Sequence, residues 1–334
     1  MPDLRETILG ATLEAERLHK ELNTQQRLTQ RSASVDVFGA IVHLGIHLLF
    51  KQLDGLLGAY VPTAVKRGIL VTTERQLAIQ RFTAAHELGH AYLNHEVSLD
   101  NDEILKRSPF GSMRYDLHEV AADTFASMFL MPEWLINFHA EHQGWDWHNL
   151  SDPISVYQLS LRVGVSYDAL CRTLRRYNLL DQQTFAKLAA IPRKEIKKKI
   201  LENHPAKNWY PNVWVLTERD EGAVINGEPT DIFVVRLKEM SGAGYLWNLD
   251  QVRAAGFAIV ADERRLTPAE DVIGGAVERV LTAQAELPCN GVISAEQARP
   301  WNPTDAVATF TFEYDFRGKE RGLPRVSREV QFAA

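Results

Sequence analysis

All 11 histidines of this 334-residue chain stand at or before His204, and the texture of the sequence changes at that point. From Asn208 onward 19 acidic residues face 13 basic ones, whereas the part before it carries 24 of each. The later part alternates apolar and polar residues in short runs (213–216, 232–237, 244–247, 277–285 and 306–314), the pattern of half-buried strands. The earlier part reads as helices over 4–30, 35–44, 75–94 and 115–130, with short β-like runs at 48–53, 57–61 and 68–73. One periodicity cannot serve both halves. The chain is therefore expected to be α+β in class, with a histidine-bearing mixed body followed by an acidic all-β sandwich.

Composition narrows the function. With 45% hydrophobic and 24% charged residues the chain is an ordinary globular sequence. A net charge of −6 supplies no global basic field for nucleic acid or membrane. Two cysteines, Cys171 and Cys289, make neither a disulfide framework nor a cysteine-rich zinc site. The N-terminus lacks a basic-then-apolar signal pattern, and the apolar run 37–50 is shorter than the roughly 20 residues of a membrane span. The expected setting is reducing and cytoplasmic.

The sharpest motif is His86-Glu87-Leu88-Gly89-His90 inside a helical segment. The i, i+4 spacing sets both imidazoles on one helix face, one turn apart, where they can share one zinc ion. Glu87 is placed to take a proton from a water whose pKa the zinc lowers, and to pass it to a leaving amine. A catalytic zinc needs a third protein ligand. The helix after it offers Glu119, with Asp123 one turn further on the same face to hold a ligating histidine. His118 is an alternative third ligand. Tyr115, His118 and His95 are candidates for stabilising an oxyanion.

Residues 80–90, then Glu119-x-x-Ala122-Asp123-x-Phe125-Ala126 and Leu130-Met131-Pro132, resemble the ImmA/IrrE metallopeptidases over about 35–180. The resemblance implies a zincin-like fold, one Zn2+ per chain held by His86, His90 and Glu119, and Glu87 as general base. It also implies Asp123 behind the ligands and a protein substrate, a helix-turn-helix repressor of stress or mobile-element genes.

Residues 158–174 have helix-turn-helix spacing, and 162–207 carry 11 basic and 4 acidic residues. We read this segment as a helical packing unit with a solvated lysine face. Specific nucleic-acid binding is not expected, only weak non-specific contact through Arg172, Arg175, Arg176 and residues 197–199. Pro205 and Pro211 bracket a linker.

In the β-rich part, Gly244-Tyr245-Leu246-Trp247, Gly274-Gly275 and Arg299-Pro300-Trp301 are similar in order and spacing to the loops of chagasin-type inhibitors of papain-like cysteine peptidases. This implies an immunoglobulin-like sandwich with Tyr245, Gly274, Gly275, Arg299 and Trp301 on partner-binding loops. Only Arg-Pro-Trp matches the inhibitors fully, so the fold carries over better than the inhibition. The expected organisation is a zinc metallopeptidase domain (1–150), a helix-turn-helix-like segment and linker (151–207), and a sandwich for sensing or recruitment (208–334). The rival readings are a binding protein with a structural or vestigial zinc site, and a DNA-binding regulator.

Overall fold

The N-terminal helix α1 (Leu4–Glu21) starts at a capping box, Asp3 accepting from the Glu6 amide while Glu6 reaches back. It does not run on to residue 30. Asn23 adopts φ 50°, a left-handed conformation Asn tolerates, and breaks α1 from the single turn α2 (Thr24–Arg27). Then come α3 (Val37–His43), β1 (His47–Lys51), β2 (Leu56–Pro62), β3 (Arg67–Thr72), α4 (Leu77–Tyr92), β4 (Ser98–Asn101) and α5 (Leu117–Leu130). This computed structural model describes residues 3–27, 34–62, 66–96, 98–101, 116–202, 204, 208–266, 277–285 and 287–327.

The first sheet runs β1-β3-β2-β4, with β1 parallel to β3 and the remaining pairs antiparallel. Helix α4 lies against β2 and β3, α5 lies on α4, and α1 lies on α5. That layering explains why α4 is buried on nearly every side from Gln80 to Ala91. Two helices that the sequence did not disclose, α6 (Glu133–Gln143) and α9 (Gln182–Ala190), flank α7 (Pro153–Val163) and α8 (Tyr167–Arg176), and α10 (Arg193–Leu201) closes the set. Gly164 at φ 76° ends α7 and Ser166 caps α8, which makes the turn between them tight.

The C-terminal strands β5 (Val213–Leu216), β6 (Val224–Asn226), β7 (Ile232–Glu239), β8 (Leu246–Asn248), β9 (Phe257–Leu266), β10 (Val277–Ala285), β11 (Asn290–Ala298) and β12 (Ala308–Asp315) form two sheets, with a short helix α11 (Asp250–Ala254) between β8 and β9. Their orders are β5-β7-β10-β9 and β6-β12-β11-β8. Trp214, Phe233, Val235 and Leu281 of one sheet meet Ile225, Trp247, Phe310 and Phe312 of the other. This is the sandwich read from the alternation.

The other face of the first sandwich sheet is not solvated. Val213, Ile232, Val234 and Val280 join the hydrophobic core of the N-terminal part. Strand β7 is accordingly buried on both faces along most of its length. Gln158 of α7 stands in for a neighbouring strand along the edge of β5: its amide donates to Val213 O (2.8 Å) and accepts from Val215 N (2.8 Å). Arg162 of α7 forms a buried ion pair with Asp220 (2.8 Å), which also accepts from Gln143. Beyond β12 the chain returns to the first sheet. Gly322 and Phe50 exchange backbone hydrogen bonds of 2.9 and 2.8 Å, and the buried Gln80 amide of α4 bonds both backbone groups of Glu320. Pro211 therefore leads into a docked sandwich rather than a tethered one. Among the described residues no helix is long and apolar enough to cross a membrane.

Candidate metal centre

Helix α4 presents His86 and His90 one turn apart, their Nε2 atoms 3.0 Å from each other. Glu119 comes from the first turn of α5, where a carboxylate is favoured by the helix dipole. Its two oxygens lie 3.4 Å from His86 Nε2 and 3.5 Å from His90 Nε2. Among the described residues these three form the group able to hold a metal ion. Donors bonded at about 2.0–2.1 Å in a tetrahedron stand about 3.3–3.4 Å apart. The 3.0 Å between the two Nε2 atoms, and the 3.4 and 3.5 Å from them to one and the other Glu119 oxygen, are close to that spacing.

The helices can bring these donors together because residue 89 is glycine. A Cβ there would lie 3.1 Å from Ala122 Cα and 3.2 Å from Phe125 Cδ1. Gly89 thus sets the approach of α4 to α5. A second glycine shapes the space beside it. A Cβ on Gly58 of β2 would lie 2.7 Å from Glu87 Oε1, so the absent side chain leaves a cradle for the Glu87 carboxylate, which is fully buried.

Each histidine is held from behind. His86 Nδ1 lies 2.9 Å from Asp123 Oδ1, a carboxylate that fixes Nδ1–H and leaves Nε2 as a lone pair. His90 Nδ1 lies 3.0 Å from His95 Nδ1. Burial, reinforced by the neighbouring His118, pushes the His95 imidazole down to about 4, so it is neutral near pH 7 and can accept that proton. His95 also stacks on His118 at 4.3 Å. Arg176 of α8 is lowered by its burial, with Asp123 acting in the opposite sense. Among the described residues the donors that gather with those of His86 and His90 are Glu119's.

Of the residues the sequence pointed to, the fold gathers His86, His90, Glu119 and Asp123, and it buries Glu87 against Gly58 of β2. The sequence did not disclose Gly58 and Gly89, or the contact of His95 with His90. A histidine five residues beyond a helix-borne ligand was the available signal for the last. Tyr115, Gly274 and Gly275 lie outside the described residues. At the sandwich end, the Arg299 guanidinium stands 4.4 Å over the Tyr245 ring, and Trp301 packs on Gly244 while remaining 74% exposed. Tyr245 precedes β8, and Trp247 lies within it.

Residues 42–175 match the family model of the IrrE N-terminal-like domain, a peptidase family, and residues 228–316 match that of the chagasin family peptidase inhibitors. A curated relative, uncharacterized immunity region protein 2 of Bacillus phage phi105, is 26% identical over 113 residues, 34% of this chain and 68% of that protein. Among solved structures, the cysteine protease inhibitor EhICP2 from Entamoeba histolytica aligns with 32% of this chain and 98% of its own at 19% identity and TM-score 0.29. Amebosin aligns with 31% and 97% at 21% identity and TM-score 0.26. Two separate segments of the chain thus match family models, residues 42–175 that of the IrrE N-terminal-like domain and residues 228–316 that of the chagasin family inhibitors.

Proposed function

We propose that this chain is a zinc-dependent endopeptidase that cleaves a helix-turn-helix transcriptional repressor in the cytoplasm. The observation that carries the reading is the convergence of His86, His90 and Glu119 at ligand spacing, with Glu87, next to His86 on the same helix, buried in the Gly58 cradle. A metal site that serves only structure has no use for a buried carboxylate there. The kinship with an immunity region protein supports a repressor as the substrate class.

A divalent ion at this point supplies a Lewis acid that polarises a peptide carbonyl and acidifies water. The chain's own residues do the rest. Asp123 and His95 hold the two imidazoles with Nε2 turned inward. Glu87 takes a proton from the attacking water on a carboxylate oxygen and delivers it to the leaving amine nitrogen. In this reading residues 1–150 are a zincin-like catalytic domain, the α7–α8 pair is helix-turn-helix-like, and 208–334 is a sandwich that senses or recruits. Lys197 is buried, so the lysine run is not a continuous phosphate track, which weighs against the DNA-binding alternative.

The test is incubation of the full chain with a co-encoded small helix-turn-helix protein, followed by mass spectrometry. Discrete fragments that form with zinc and vanish with a chelator support the reading. An intact repressor under both conditions, with zinc bound to the chain, favours the binding-protein alternative.

A further inference from the structure

Helix α4 carries both histidines of the metal centre, yet its own residues supply no side-chain cap at its start. Gln76 stands at the N-cap with no side-chain hydrogen bond, and the first turn holds no acidic residue. The missing acceptor comes from the sandwich. Glu228, in the turn between β6 and β7, accepts from the Leu77 amide through Oε1 at 2.8 Å, across 151 residues of sequence. A carboxylate at this end of a helix also meets the helix dipole favourably.

Glu228 is held ready for that contact. The buried Asp231 accepts from the Glu228 amide (3.1 Å), from Asn212 N (2.8 Å) and from Trp214 Nε1 (3.1 Å), which fixes the turn 228–231. Gly318, at φ 71°, makes room on the other side: a Cβ there would stand 2.7 Å from Glu228 Oε2. Gly318 belongs to the segment that returns to the first sheet, and Arg325 ties that segment through the Glu320 carboxylate and Gly318 O. From α4, the Gln80 amide donates to Glu320 O (3.1 Å) and accepts from Glu320 N (2.8 Å). The sandwich and its return segment thus grip the first turn of α4 at Leu77 and at Gln80.

The grip bears on the metal centre because the donors come from two helices. His86 and His90 ride on α4, and Glu119 stands on α5. An α-helix is stiff along its axis, and Gln80 precedes His86 by six residues, about 9 Å of helix. A displacement of the first turn of α4 therefore changes the spacing between the two imidazoles and Glu119. A binding constellation tolerates only about 0.5 Å of such change.

We propose that the sandwich is a conformational regulator of the metal centre, acting through Glu228 and Glu320 on the start of α4, so that docking of the sandwich and binding of zinc strengthen each other. Coupling of this kind is reciprocal: the factor that the grip adds to zinc affinity is the factor that zinc adds to the grip. A partner that loosens the contact from the sandwich side lowers zinc affinity without touching the donors. The proposal rests on His86, His90 and Glu119 as zinc ligands and is independent of repressor cleavage.

The experiment measures zinc affinity of the full chain by competition with a chromophoric chelator, and amide exchange of residues 316–322 with and without zinc. Glu228→Ala should bind zinc at least about fivefold more weakly, the lower end of such couplings. Glu228→Gln, whose side-chain oxygen still accepts, should recover most of that loss. Zinc saturation should slow exchange of the Glu320 amide by a similar factor. Gln158→Ala, which breaks the contact of α7 with β5 instead, should lower Tm yet leave zinc affinity within about twofold. An equal loss of zinc affinity in Gln158→Ala would trace the effect to global stability and overturn the proposal. So would equal zinc affinity in the parent and Glu228→Ala, or exchange at 316–322 that zinc leaves unchanged. Exchange in the parent chain keeps the test decisive should Glu228→Ala fail to fold. A parent chain that takes up no zinc would refute the ligand assignment and this proposal with it, whereas the other contrary results refute the coupling alone.

Discussion

Gly58 on β2 and Glu87 on α4 are fitted to each other: a Cβ at residue 58 would stand 2.7 Å from Glu87 Oε1 and 3.2 Å from its Cγ. Backbone from the sheet and carboxylate from the helix share one small volume. The same Cβ would stand 2.5 Å from Thr83 Cγ2, so Gly58→Ala should displace the side chains of Thr83 and Glu87 while leaving His86, His90 and Glu119 in place. The expected outcome is full metal content with cleavage reduced about 100-fold, the scale of a lost general base. Metal analysis and repressor cleavage on one preparation check it.

His95 has a role that the sequence alone did not assign. It accepts from the outer nitrogen of His90 as Asp123 does from His86. His95→Ala should weaken zinc binding about 10–100-fold, the usual cost of losing such a support. His95→Asn, which restores an acceptor, should recover part of it. Competition with a chromophoric chelator measures both, and equal affinities in all three proteins would remove His95 from this role.

Acid should loosen the packing of α1 on α5. His19 is buried against Phe129, ring to ring at 4.7 Å, and against Trp134. Desolvation lowers it from 6.5 to about 4, an effect the backbone of Met128 and Phe129 offsets only in part. The unfolded chain therefore binds the extra proton first. Stability rises with pH between about 4 and 6.5, is complete above that window, and is lost as pH falls through it. The full difference is about 3 kcal/mol. Denaturant midpoints at pH 5 and pH 7.5 should differ less in His19→Phe than in the parent chain.

A truncation after residue 207 should not yield a soluble metal-binding fragment. Val213, Ile232, Val234 and Val280 complete the N-terminal core, and each buried side chain of this size contributes about 1.5–3 kcal/mol. The cut also strips Gln158 and Arg162 of their partners and removes the segment that satisfies Gln80 on the metal helix. Aggregation or loss of cooperative unfolding is expected. A fragment that unfolds cooperatively near the parent Tm would show that the sandwich is only tethered.

What could be read in advance was what local spacing encodes. His86 and His90 are four apart, Glu119 and Asp123 are four apart, and strand β12 alternates cleanly. Strand β9 escaped notice because Asp262, Glu263, Arg264 and Arg265 make half of it look like a charged loop. In the fold their charges are met by Arg279 of the neighbouring β10 on Asp262 and by His204, beyond α10, on Glu263. Lys197 looked like part of a solvated face; it is buried because α10 meets β5 and residues 209–210. The Gln80–Glu320 and Gln158–Val213 contacts span 240 and 55 residues. No periodicity reports such pairings, so the docking of the sandwich on the N-terminal body was not legible.

The most direct test of the central claim is Glu87→Gln, measured for zinc content and repressor cleavage in the same sample. The amide preserves the shape in the Gly58 cradle but cannot take a proton from water. One zinc per chain with no detectable fragments, beside a parent chain that cuts, is the expected result. Cleavage by Glu87→Gln at the parent rate would contradict the account.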